Sequence, residues 1–92
     1  MNWQAGQPIA PKMPLTTAAK TAGITPTSRG WVTFVDRTSI SFYIGRTQGW
    51  IEARCPLDIF AANFNLRKDG INSSAYIRNA HYIKSFPADF LR

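Results

Sequence analysis

The chain has 92 residues, 45% hydrophobic and 17% charged, with 11 Lys and Arg against 5 Asp and Glu, giving a net charge of +6. That length allows one core, the composition is too apolar for a disordered chain, and no run approaches the roughly 20 apolar residues of a membrane span. A soluble, cytoplasmic protein is expected, and the surplus of positive charge points to a polyanionic partner.

Residues 1–30 hold Pro8, Pro11, Pro14 and Pro26 but no acid, no Phe and no Tyr. This segment reads as a flexible, basic, proline-rich arm ahead of a single α+β domain at 31–92, because spaced prolines favour extended backbone and the content is poor in core-forming side chains. A short helix from Thr16 to Ala22, stopped by Gly23, fits inside it. Lys12, Lys20 and Arg29 in this acid-free stretch suit contacts along a phosphate backbone.

From Trp31 the pattern alternates. Val32 and Phe34 face one way, with Trp31, Thr33 and Val35 the other, as in a half-buried strand. Asp36, Arg37 and Thr38 form a turn, and Ile40, Phe42 and Ile44 then alternate with Ser41 and Tyr43 in a second strand. Gly45 and Gly49 bracket a hairpin loop. After it, Ile51, Ala53 and Cys55 share one face of a third strand, with Trp50, Glu52 and Arg54 on the other.

Pro56 ends that strand and suits the first turn of a helix. Leu57, Phe60, Ala61 and Phe64 recur at helical spacing, with Asp58 near the positive helix end, Arg67 and Lys68 near the negative end, and Gly70 closing it. The segment from Ala75 to Tyr82 reads either as a strand or, by preference, as a helix with Tyr76, Ala80 and Ile83 on its stripe. The expected fold is thus α+β, a three-stranded antiparallel meander with one or two helices packed on one face, the face of Val32, Phe34, Ile40, Phe42, Ile44 and Ile51.

Catalysis is not expected. One His and one Glu make a thin inventory, His81 has no second His at metal spacing, and Cys55 as the lone cysteine forms neither an internal disulfide nor a metal cluster. The glycines match no phosphate-binding loop, and no metal or cofactor is expected.

The candidate face is the outward side of the sheet, where Trp31, Tyr43 and Trp50 interleave with Arg37, Arg46 and Arg54. Aromatic faces stack on unpaired bases and arginines hold phosphates, a combination suited to single-stranded nucleic acid. A protein partner docking on the same aromatics and arginines is the alternative, and strand-edge pairing leaves a homodimer open.

Two family resemblances add to this reading. Tyr76-Ile77-Arg78-Asn79-Ala80-His81-Tyr82-Ile83-Lys84-Ser85-Phe86, with Pro56-Leu57 through Phe64 upstream, resembles the end of LytTR-type DNA-binding domains over residues 32–86. That resemblance implies a mostly β fold that binds promoter DNA as a transcription regulator. It makes Asn79 a structural residue and turns to Arg67, Lys68, Arg78 and Lys84 for DNA contacts, since Ser73-Ser74-Ala75 stand where the family has a basic triplet. Ile51 through Phe64 is equally similar to the strand-then-helix signature of an uncharacterised family of small bacterial α+β proteins, which implies a helical final segment.

Overall fold

In the computed structural model of the protein, residues 3–67, 83–84 and 91 are described. Their order is β1 (Pro8–Pro11), α1 (Thr17–Thr21), β2 (Gly30–Val35), β3 (Ser39–Ile44), β4 (Ile51–Pro56), α2 (Leu57–Asn63), β5 (Phe64–Leu66) and β6 (Ile83–Lys84). They form one sheet in the order β5-β1-β2-β3-β4-β6. Five strands run antiparallel to their neighbours, and the two-residue β6 joins β4 in parallel.

The expected three-stranded meander is therefore the centre of a larger sheet, and the expected flexible arm is part of it. Strand β1 lies between β2 and β5, with Ile9 opposite Gly30 on one side and opposite Leu66 on the other. Proline normally excludes a segment from a sheet interior because it lacks an N–H for the ladder. Here Pro8 and Pro11 occupy the two ends of the strand, and the carbonyl of Pro8 accepts a hydrogen bond from the N–H of Arg67 at 2.8 Å. The ladder to β2 continues upstream, Gly6 donating to Val32 O at 2.7 Å and Val32 to Gln7 O at 2.9 Å.

The three central strands keep their expected register, with one correction. The β2–β3 pairing shifts between Val32, opposite Phe42, and Phe34, opposite Ser41. This bulge inserts Thr33 as an extra residue and reverses the alternation beyond it. Phe34, expected in the core, is turned to the outer face and is 55% exposed, while Val35 turns inward opposite Ile40.

Both helices cover the inner face. Thr16 caps α1 by accepting the N–H of Ala19 at 3.0 Å, and Gly23, at φ 90°, follows its end. Phe60 of α2 meets Phe42 at 4.9 Å and Phe64 at 5.0 Å between ring centroids, and Trp3 closes over it edge-on at 4.8 Å. Ile9, Ala19, Ile24, Cys55 and Leu91 complete the core, so the buried Cys55 sits on the expected face.

Helix α2 stops at Asn63, seven residues before the expected closure at Gly70. The Asn63 amide turns back to donate to Ile59 O at 2.8 Å, while its Oδ1 accepts the Thr16 hydroxyl at 2.6 Å and its backbone carbonyl accepts the N–H of Lys12 at 2.9 Å. Phe64 then takes extended backbone and pairs with Pro11, which buries its ring beside Phe42. Asn63 thus joins both helices and the chain leaving β1. Asn63→Ala should cost about 1–3 kcal/mol, because a buried network loses its central donor and acceptor. A urea midpoint unchanged from the parent would refute that role.

Of the final segment, Ile83 and Lys84 are strand, so Ile83 does not sit on a helix as preferred; residues 68–82 and the LytTR-like positions Arg78 and Asn79 lie outside the described residues. Among the described residues no helix is long and apolar enough to cross a membrane.

Candidate functional site

Strand register places the outer-face side chains in rows. Trp31, Tyr43 and Glu52 stand opposite one another on β2, β3 and β4, with Pro8 beside Trp31 on β1. Phe34, Ser41 and Arg54 form the row past the bulge. The extra residue, Thr33, donates its hydroxyl to Glu52 Oε2 at 2.8 Å.

The three expected aromatics do come together. Trp50, just before β4, stacks on Tyr43 at 5.0 Å and 20° between ring planes, and Trp31 stacks on Tyr43 at 5.1 Å and 29°. Trp31 meets Trp50 at 5.8 Å. Exposure divides them, however. Trp31 is 6% exposed and Tyr43 1%, whereas Trp50 is half-buried. The expectation of three open stacking surfaces is thus replaced by one partly open ring backed by two buried ones.

The ring of Trp50 has a built seat. A Cβ on Gly45 would lie 3.2 Å from the edge of the indole, closer than ordinary van der Waals contact, so the missing side chain lets the ring lie over the backbone. Gly49, at φ 119°, turns the loop. Arg46 Nε donates to Gly49 O at 3.1 Å across that turn. The loop is anchored to the α1–β2 connection by Gly45 N–H to Arg29 O at 3.1 Å and Thr47 N–H to Gly23 O at 3.0 Å.

This anchoring creates a cleft of about 290 Å³ lined by Thr25, Thr27, Ser28, Arg29, Gly45, Arg46, Thr47 and Trp50. Its far wall is a hydroxyl-rich turn in which the N–H of Thr25 bonds to Ser28 Oγ at 2.9 Å and the N–H of Ser28 to Thr25 O at 3.0 Å. Arg29 Nη1 donates to Ser28 O at 2.8 Å and to Pro26 O at 3.2 Å, which fixes the guanidinium against the turn. Among the described residues, the lining holds two cations, Arg29 and Arg46, and no carboxylate.

The remaining expected cations lie elsewhere. Arg54 shares the face of Trp50 but is about 13 Å along the strand, where its Nε donates to Ser41 Oγ at 3.2 Å. Arg37 is exposed in the turn between β2 and β3. There the N–H of Thr38 holds the Asp36 carboxyl below its usual range, helped by the N–H of Ser39 and the charge of Arg54. Arg67 follows β5, with β1, β2 and β3 between it and β4. Lys84 lies in β6 with its backbone beside Glu52, and Lys68, Arg78 and His81 fall outside the described residues.

Sequence reasoning missed the partnership of Arg29 with Arg46 and Trp50, having assigned Arg29 to the arm. The signal was the run Thr25-Pro26-Thr27-Ser28-Arg29, whose proline and hydroxyls mark a tight turn capable of presenting a cation. Among the described residues, no three His, Cys, Asp or Glu side chains gather closely enough to hold a metal ion. Comparison with protein-family models, curated proteins and solved structures finds no match to this chain.

Proposed function

We propose that this protein is a non-catalytic nucleic-acid-binding protein of the small regulator kind, and that it prefers single strands. The observation that carries the reading is the meeting of the Trp50 ring with Arg29 and Arg46 in one cleft. A net charge of +6 adds long-range attraction for phosphate. An indole with a rigid backing stacks on any unpaired base, and the guanidinium groups hold phosphate beside it. The grooves of a duplex do not present an unstacked base to such a ring.

A second reading, docking of a protein partner, is favoured by Phe34, which stands exposed on the outer face in the same row as Arg54. Interfaces concentrate aromatic rings and arginines in this way.

Fluorescence anisotropy with labelled single-stranded and duplex oligonucleotides separates the two. Single strands should bind more tightly than duplex, with affinity falling on a log–log salt plot at a slope of about −1.4 if Arg29 and Arg46 each neutralise one phosphate. Trp50→Ala should weaken binding by about 1–3 kcal/mol, and Phe34→Ala should leave it unchanged. A folded protein that binds no oligonucleotide at low salt would end the nucleic-acid reading and direct attention to the Phe34 row.

A further inference from the structure

We propose that the cleft between the Thr25–Arg29 turn and the 45–50 loop is a pocket for one nucleotide unit, holding a terminal phosphate on Arg29 and Arg46 and stacking the adjoining base on Trp50. This inference rests on the nucleic-acid reading and narrows it from a surface that tracks a strand to a pocket that grips an end.

Size is the first reason. The volume of about 290 Å³ is at the lower limit of small-ligand pockets, roughly 300 Å³, and suits a ligand the size of one nucleotide unit. The distribution of charge is the second. Arg54 lies about 13 Å along β4 from Trp50 and Arg37 in the turn at the other end of the strands, so Arg29 and Arg46 are the two cations that the cleft itself brings together.

The third reason is that the groups are held before any ligand arrives. Arg29 spends Nη1 on two backbone carbonyls and Arg46 spends Nε on one, which orients each guanidinium and leaves its other N–H groups for an anion. The hydroxyls of Thr25, Thr27 and Ser28 line the same space and bond among themselves, which makes that wall polar, while Thr47 donates its hydroxyl proton to Gln48 Oε1. A terminal phosphate monoester carries nearly two charges, more than an internal diester with one, and matches two cations in a small volume.

Two sources share this chemistry: the 5′-phosphorylated end of a single strand and a free nucleoside monophosphate. Titration of the full chain, followed by calorimetry and by indole fluorescence, distinguishes them when the probes are a short oligonucleotide with a 5′-phosphate, the same strand with a 5′-hydroxyl, AMP, ribose 5-phosphate and inorganic phosphate. The phosphorylated strand should bind about tenfold tighter than the hydroxyl strand, since charge-assisted bonds of this kind are the strong ones. AMP should compete for the cleft, and ribose 5-phosphate and inorganic phosphate should bind more weakly than AMP.

Arg46→Gln should abolish the advantage of the phosphorylated end while the circular dichroism spectrum stays that of the parent. Gly45→Ala, which displaces the ring and keeps every charge, should reduce AMP binding towards that of ribose 5-phosphate.

Strands that bind equally with or without the 5′-phosphate, and equally in the parent and Arg46→Gln, would overturn the pocket and leave the broader nucleic-acid reading intact. AMP binding without binding of either strand would support the pocket with the free nucleotide as its ligand and sink the strand reading. Inorganic phosphate binding as tightly as AMP would overturn the role of the base and of Trp50. That comparison needs only the parent protein, so it decides even if a variant fails to fold.

Discussion

A chain from which residues 1–11 have been removed should lose its cooperative unfolding transition. Strand β1 carries Ile9 and Pro11 into the core, and its removal strips one partner from β2 and the only antiparallel partner of β5 among the described residues. Trp3 goes with it and uncovers Phe60. The loss combines a fully buried isoleucine, a buried aromatic contact and two strand ladders, which together exceed the margin of about 5 kcal/mol on which a domain of this size can rest. Differential scanning calorimetry should show no sharp endotherm, and a hydrophobic dye should bind. A truncated chain with the melting temperature of the parent would mean that the segment is a detachable arm, as its composition by itself implies.

Gly30→Ala should have the next largest effect. Gly30 lies in the core-facing row between Ile9 and Ile44, and a Cβ built on it would collide with the backbone carbonyl of Tyr43. The obstacle is main chain at the first pair of the β2–β3 ladder, so no side chain can swing aside to relieve it. Relief requires β2 and β3 to separate at that end, beside Ile9 of β1. The expected cost is about 3 kcal/mol, equivalent to a fall of roughly 15 °C in melting temperature for a domain of this size. The neighbouring aromatic row would shift as well, so near-ultraviolet circular dichroism should lose intensity even below the transition. A loss under about 1 kcal/mol would show that the strands accommodate a methyl group there.

Much of the centre of the fold was legible because its residues obey local rules. Strict alternation marks β3 and β4, Pro56 marks the change from strand to helix, and Thr16 with Gly23 brackets α1. The failures have physical causes. Proline is a penalty only where its missing N–H is required, and composition cannot reveal that Pro8 and Pro11 stand at the two ends of a strand. A bulge is invisible to periodicity, so Phe34 read as core. The early end of α2 depends on Thr16, a residue 47 positions away, which no local pattern contains. In the candidate site, Trp50 and Arg46 were legible as a loop beside a strand. The burial of Trp31 and Tyr43 is a tertiary fact, and so is the recruitment of Arg29, which follows from two backbone hydrogen bonds between the 45–50 loop and the connection before β2.

The position of β1 also governs the order of assembly. Strands β2, β3 and β4 are joined by short turns and can pair as soon as they exist, since closing a short loop costs little entropy. Strand β1 must wait for β5, its partner from the far side of the sequence. Strand β1 is made before β2, β3 and β4 yet finds its second neighbour only after all three, and until residue 66 has been made its edge away from β2 has no partner. Long-range pairing of this kind slows folding more than it weakens the finished structure. Pro8 and Pro11, at the two ends of β1, withhold two N–H groups from that waiting strand, and so limit what it can pair with by mistake.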